Sequence, residues 1–170
     1  DLASAIATSS LLAATELQRL DTEEAAAMTG KATTVDVEVR YAETDQMGVV
    51  HHATYVVWFE LARTALCRET GHHYADIEEL GYLLMVTGVE VRYLRPARYG
   101  ETIQVSCRLE RLASRALRFA YEVTRDGERL VTGASDHLWV DRATGRPCRL
   151  PEPLRPGFLR LWETTEPPGT

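Results

Sequence analysis

Three cysteines in 170 residues, Cys67, Cys107 and Cys148, are too few and too widely spaced for a disulfide framework or a CxxC metal knuckle. Cys107 falls at an apolar strand position and Cys67 at a helical one, so all three are read as free thiols and the compartment as a reducing cytoplasm. No apolar run reaches the roughly 18 residues that a membrane-spanning helix needs, and none is expected. No basic region precedes the first apolar stretch, which speaks against a secretory signal. Positive charge is also short: 19 Lys and Arg stand against 25 Asp and Glu, a formal net charge of -6. No general field therefore draws nucleic acid or an anionic membrane, although local arginine clusters can still hold a small anion. Metal-ligand spacing is missing too. His51-His52 and His72-His73 are adjacent pairs whose side chains diverge, and no HxxxH places two ligands on one face, so no metal is expected. What the chain does have is 45% hydrophobic and 26% charged residues, the balance of a globular domain with one substantial core.

Residues 1–34 are rich in Ala, Ser and Thr, and Leu12, Glu16, Arg19 and Leu20 fall at helical spacing. Met28 leaves two readings open: a native start behind added sequence, or a genuine helical extension. The domain is read over residues 35–142. It opens with VDVEVRY, where Val35, Val37, Val39 and Tyr41 alternate with polar residues as a half-buried strand does. After the loop ETDQMGVVHH, ATYVVWFELARTALCRETG reads as a helix that is apolar almost all round and hence largely enclosed, with Gly71 ending it. HHYADIEELGY is read as a connection. Four strands follow, near Leu83–Tyr93, Thr102–Leu112, Leu117–Arg125 and Arg129–Val140, and Asp126-Gly127 marks a tight hairpin between the last two. Residues 143–170 form a Pro-rich tail with a short helix near Phe158–Trp162. A strand, an enclosed helix and four consecutive antiparallel strands make an α+β architecture in which a five-stranded antiparallel sheet wraps around a long central helix.

Asp45 draws attention because it precedes a glycine turn and a helix entrance. A carboxylate there acts as a cap, a metal ligand or a catalyst. The catalytic reading has a physical basis, since the first N–H groups of a helix lack intrahelical partners and carry partial positive charge. A thioester carbonyl docked on them would have its developing oxyanion stabilised, with the acid placed to act as nucleophile or as base toward water. Asp45, Gly48, His52 and Ala53 supply the acid, the flexible loop and the helix start in that order. The residues alone leave a structural cap open.

The stretch RYAETDQMGVVHHATYVVWFELAR resembles the signature of the hotdog-fold acyl-CoA thioesterases of the 4-hydroxybenzoyl-CoA thioesterase family. It is most similar to the bacterial branch associated with the Tol–Pal system, which reads much like Y-x-D-T-D-x-x-G-V-V-Y-H-A-S-Y. VRYLRPARYGETIQV is similar to that branch's K-Y-L-x-P-A-R-Y-D-D segment, and the likeness spans residues 35–142. The resemblance implies the hotdog fold and hydrolysis of an acyl-CoA to a free acid and CoA. By position, Asp45 matches the catalytic carboxylate, the His52 backbone N–H matches the group that polarises the thioester carbonyl, and Gly48 matches the loop glycine. Tyr55 falls on the aromatic position of the signature, expected to pack. His51 departs from the aromatic residue usual in that branch, which bears on the shape of the acyl pocket.

Substrate binding is further expected to involve Val49 and Val50, with Tyr82, Leu84 and Met85 as other candidates for the acyl pocket. Arg95 and Arg98, flanking a rigid proline, are the candidates for the CoA phosphates. No cofactor is implied, because coenzyme A is part of the substrate. The family pairs its protomers with the site at their interface, so a homodimer or homotetramer is expected. Two rivals remain on the same fold: a non-catalytic acyl-binding protein, and a thioesterase acting on acyl-carrier-protein substrates.

Overall fold

The computed structural model describes residues 32–163; the helix read within residues 1–31 lies outside them. Strand β1, Thr33–Glu38, alternates half-buried and exposed residues, as its period-2 pattern requires, and begins two residues ahead of the boundary read from the sequence. A 3-10 turn at Tyr41–Glu43 leads into the Asp45 loop, and helix α1 runs from Thr54 to Arg68. Then come helix α2 (Tyr74–Glu79) and strands β2 (Tyr82–Tyr93), β3 (Thr102–Leu112), β4 (Ala116–Arg125) and β5 (Glu128–Asp141). A two-residue β6, Arg146–Pro147, adds to β5, and helix α3 spans Arg155–Glu163. The strands lie in the order β1-β3-β4-β5-β2, every pair antiparallel. Asp126 and Gly127 both take positive φ, 50° and 80°, so the hairpin expected there forms with the left-handed pair that a two-residue turn demands.

One face of the sheet packs on α1. Ile103, Val105, Cys107 and Leu109 of β3 and Leu117, Phe119, Tyr121 and Val123 of β4 are buried against Trp58, Phe59, Ala62 and Leu66. The Phe59 ring stacks on Tyr121 at 4.4 Å, directly over Gly133 of β5. Two sequence expectations are corrected by this packing. Helix α1 is not enclosed all round: Val56, Val57 and Leu61 are 39%, 56% and 50% exposed, because the sheet covers one side of the helix only. The connection at 72–82 contains α2, a single turn and a half whose Asp76 carboxylate accepts the His73 N–H at its start. The short helix read near Phe158–Trp162 begins three residues earlier and packs on the sheet: Leu154 and Phe158 are fully buried and Phe158 meets Trp139 edge to face. Cys67 and Cys107 are buried and Cys148 half-buried, all three free. Among the described residues no helix is long and apolar enough to cross a membrane.

Candidate active site

The Asp45 loop is a small hairpin fastened at its base. Thr44 and Val50 bridge, the Asp45 N–H donates to Val49 C=O at 2.9 Å, and Gly48 N–H donates back to Asp45 C=O at 2.9 Å. Gly48 has φ +70°, a conformation that explains the glycine. Below the hairpin, Glu43 is buried. Its carboxylate accepts the Arg40 N–H and guanidinium, both at 2.8 Å, and the indole N–H of Trp58 on α1 at 3.2 Å. Burial pushes the Glu43 carboxyl up, but the bonds from Arg40 and Trp58 outweigh it and hold the group below the usual carboxylate range. The His51 N–H donates to Glu43 C=O at 2.8 Å, and the Val50 N–H to Ala97 C=O at 2.9 Å. Glu43 thus ties the loop to the second turn of the central helix.

Asp45 is half-buried, and its Oδ1 accepts the Met47 N–H at 2.8 Å; among the described residues no other donor reaches this carboxylate. The bond is the local turn expected of a capping aspartate, and it leaves the second oxygen to the site. Helix α1 begins at Thr54 after Ala53, so His52 sits just outside it. The His51 C=O accepts the Thr54 N–H at 2.9 Å, while among the described residues the His52 N–H has no acceptor. Asp45 and His52 line one depression of about 300 Å³, together with Met47, Val49, Val50, Tyr55, Tyr93, Leu94, Arg95 and Pro96.

Of the residues expected from the sequence, Asp45, His52, Val49, Val50, Tyr55 and Arg95 therefore come together. Tyr55 is buried, and its hydroxyl accepts the Ala97 N–H at 3.2 Å, a packing role as expected. Arg95 lines the depression with its guanidinium paired to Glu128 at 3.0 Å. Gly48 and Arg98 do not line it; Arg98 donates to Gly48 C=O at 3.3 Å and braces the loop from outside. Tyr82, Leu84 and Met85 lie at the other end of β2 and do not reach the depression. Tyr93 and Leu94 were not anticipated. The pattern around VRYLRPAR places Tyr93 on a strand face but says nothing of which loop it meets.

A larger depression, about 440 Å³, lies on the outer face of the sheet among Glu90, Arg108, Glu110, Arg118, Glu122 and Arg129. Its charges are spent on one another: Arg118 alone pairs with Glu90, Glu110 and Asp136. The smaller depression combines a carboxylate, an amide donor and an apolar wall, which is what acyl transfer needs.

A family model described as the thioesterase-like superfamily matches residues 39–158. YneP of Bacillus subtilis strain 168, assigned provisionally as an acyl-CoA thioesterase, is 40% identical over 115 residues, covering 67% of this chain and 83% of YneP. The acyl-CoA thioester hydrolase YbgC of Escherichia coli O157:H7 is 28% identical over 123 residues, 69% of this chain and 89% of YbgC. Among solved structures, the DHNA-CoA thioesterase of Staphylococcus aureus superposes with a TM-score of 0.71 at 32% identity, over 78% of this chain and 89% of that one. The hypothetical protein TT1821 of Thermus thermophilus gives a TM-score of 0.73 at 40% identity, over 76% and 98%. With the curled sheet, the central helix and the loop at its entrance in place, the chain belongs to the thioesterase-like superfamily and has its hotdog fold.

Proposed function

We propose that this protein hydrolyses acyl-CoA thioesters to a free acid and CoA in the depression at the start of α1. The observation that supports this reading most directly is that Asp45, a carboxylate, and His52, whose amide N–H has no acceptor among the described residues, line the same apolar hollow. The substrate carbonyl accepts the His52 N–H, which stabilises the oxyanion as charge develops on it. Asp45 either attacks the carbonyl carbon, forming a mixed anhydride that water then cleaves, or takes a proton from the attacking water. In both routes the sulfur leaves as the CoA thiolate and is protonated. Arg95 at the rim is placed for an anionic part of the CoA moiety. Relatives named for acyl-CoA hydrolysis support this substrate class; the two motif blocks are the ground for a placement near the Tol–Pal-associated branch. The three free thiols accord with a cytoplasmic setting.

The working unit in this reading is a homodimer, or a tetramer built from it. Strand β2 is an outer strand of the sheet, bonded only to β5 among the described strands, and it ends at Tyr93 in the site. Val86 and Val89 of that strand are 46% and 43% exposed, as is the Val57 and Leu61 side of α1, and a second copy covers them.

The test is release of CoA thiol from short, long and aromatic acyl-CoAs by the wild type and by Asp45→Asn. The expected result is turnover by the wild type and a loss of about 10²-fold or more in the variant, the scale of removing a base or nucleophile. An active Asp45→Asn protein would reduce Asp45 to a turn residue.

A further inference from the structure

We infer that Tyr93 is the positioning residue of the helix entrance: its hydroxyl holds the His52 carbonyl and so keeps the His52 amide turned toward the substrate carbonyl. This rests on the reading of the Asp45 depression given above. The Tyr93 O–H donates to His52 C=O at 2.9 Å, across 41 residues of sequence. Its ring meets Tyr55, in the first turn of α1, edge to face at 5.6 Å.

The reason such an anchor is needed lies in where His52 sits. Inside a helix each carbonyl is held by the N–H four residues on. His52 precedes the helix, and among the described residues no backbone donor takes its carbonyl, since Thr54 N–H goes to His51 C=O and Val56 N–H to Ala53 C=O. The peptide carrying the His52 N–H is therefore fixed on one side by Thr54, and the next peptide by Tyr93 at its carbonyl and by His51 at its N–H, the Ala53 N–H donating to His51 Nδ1 at 3.2 Å. Without the hydroxyl, one of the two bonds that fix the His52 ψ angle is gone, only the weaker 3.2 Å contact to the His51 ring remains, and the helix entrance that carries the amide holds its aim less firmly. Burial holds the Tyr93 hydroxyl above the usual phenol range, so it remains a donor across the working pH. An oxyanion donor is worth most when it is already oriented before reaction, which is what this bond accomplishes.

Tyr93→Phe removes one oxygen atom and keeps the ring on Tyr55. Steady-state kinetics on an acyl-CoA that the wild type turns over, run beside Asp45→Asn, give the first readout. The expected result is a kcat lower by up to about tenfold, the scale of one hydrogen bond, with KM within about twofold and an unchanged shape of the pH profile. Hydrogen exchange of the amides at residues 52–54, measured without substrate, is expected to quicken in Tyr93→Phe. A kcat equal to wild type while Asp45→Asn is inactive overturns the positioning role alone. A rise confined to KM makes Tyr93 a substrate contact, and a lost basic limb makes it a proton donor; each overturns the inference. Unchanged amide exchange does the same. If Asp45→Asn turns over like the wild type, it is the reading of the depression itself that fails.

Discussion

Glu43 shows how a single side chain can govern chemistry it does not touch. It lies two residues from Asp45, yet its carboxylate points into the interior, taking the Trp58 indole N–H and the Arg40 donors. A buried carboxylate is stable only with such donors, so the loop has one seating on the helix. His137 is another buried titratable group, with Nε2 2.7 Å from Ser135 Oγ, which in turn meets the Tyr121 hydroxyl at 2.6 Å. Burial, reinforced by the Arg63 charge, pushes its pKa down to about 3 from 6.5. In the unfolded chain the ring takes a proton below the ordinary value while the folded protein refuses it. Stability is therefore fully present above pH 6.5 and is lost as pH falls from there toward 3. Urea unfolding between pH 7 and 5 is expected to show a decline approaching about 1.4 kcal/mol per pH unit from this residue. His137→Gln should flatten it; an equal decline in the variant would assign the loss to other groups.

At the scale of elements, the helix and sheet are joined where β5 carries Gly133. A Cβ there would lie 2.4 Å from the Phe59 ring and 2.7 Å from the Glu90 carbonyl of β2. The ring stacked on Tyr121 can yield only by leaving its place, and the β2 backbone is bonded to β5 on that side. Gly133→Ala should therefore lower stability by about 1–3 kcal/mol despite alanine's better strand propensity, read as a fall in Tm. A rise in Tm would mean the contact is loose. The strands and α1 were legible because their apolar periods of two and of three to four are local. Helix α2 was missed for the opposite reason: with Ile77 its only buried residue, six residues show no period. Helix α3 was legible as a helix but not as part of the core, since the burial of Phe158 depends on Trp139, nineteen positions earlier on another element.

For the whole molecule, the exposed side of α1 carries the consequence. Leu61 is half exposed on the protomer, so Leu61→Lys should leave the folded protomer's stability within about 0.5 kcal/mol. In the proposed homodimer, which would cover this face, a lysine at an apolar contact is costly. Light scattering after size exclusion is expected to show the mass of the species halved, with thioester hydrolysis falling alongside. An unchanged mass would place the subunit contact elsewhere.

The sequence by itself determined the five main strands and α1, the hairpin at Asp126-Gly127 and the loop in which Asp45, Gly48 and His52 stand in order before the helix. Each depends on neighbours a few residues apart, where backbone geometry translates spacing into direction. The tertiary structure alone decided that Arg95 faces the depression while Arg98 braces the loop behind it, that α1 keeps an uncovered flank, and that the Tyr93 hydroxyl reaches the His52 carbonyl. Those meetings are set by how far the sheet curls around the helix, a property of all five strands packing at once and of no single stretch of chain.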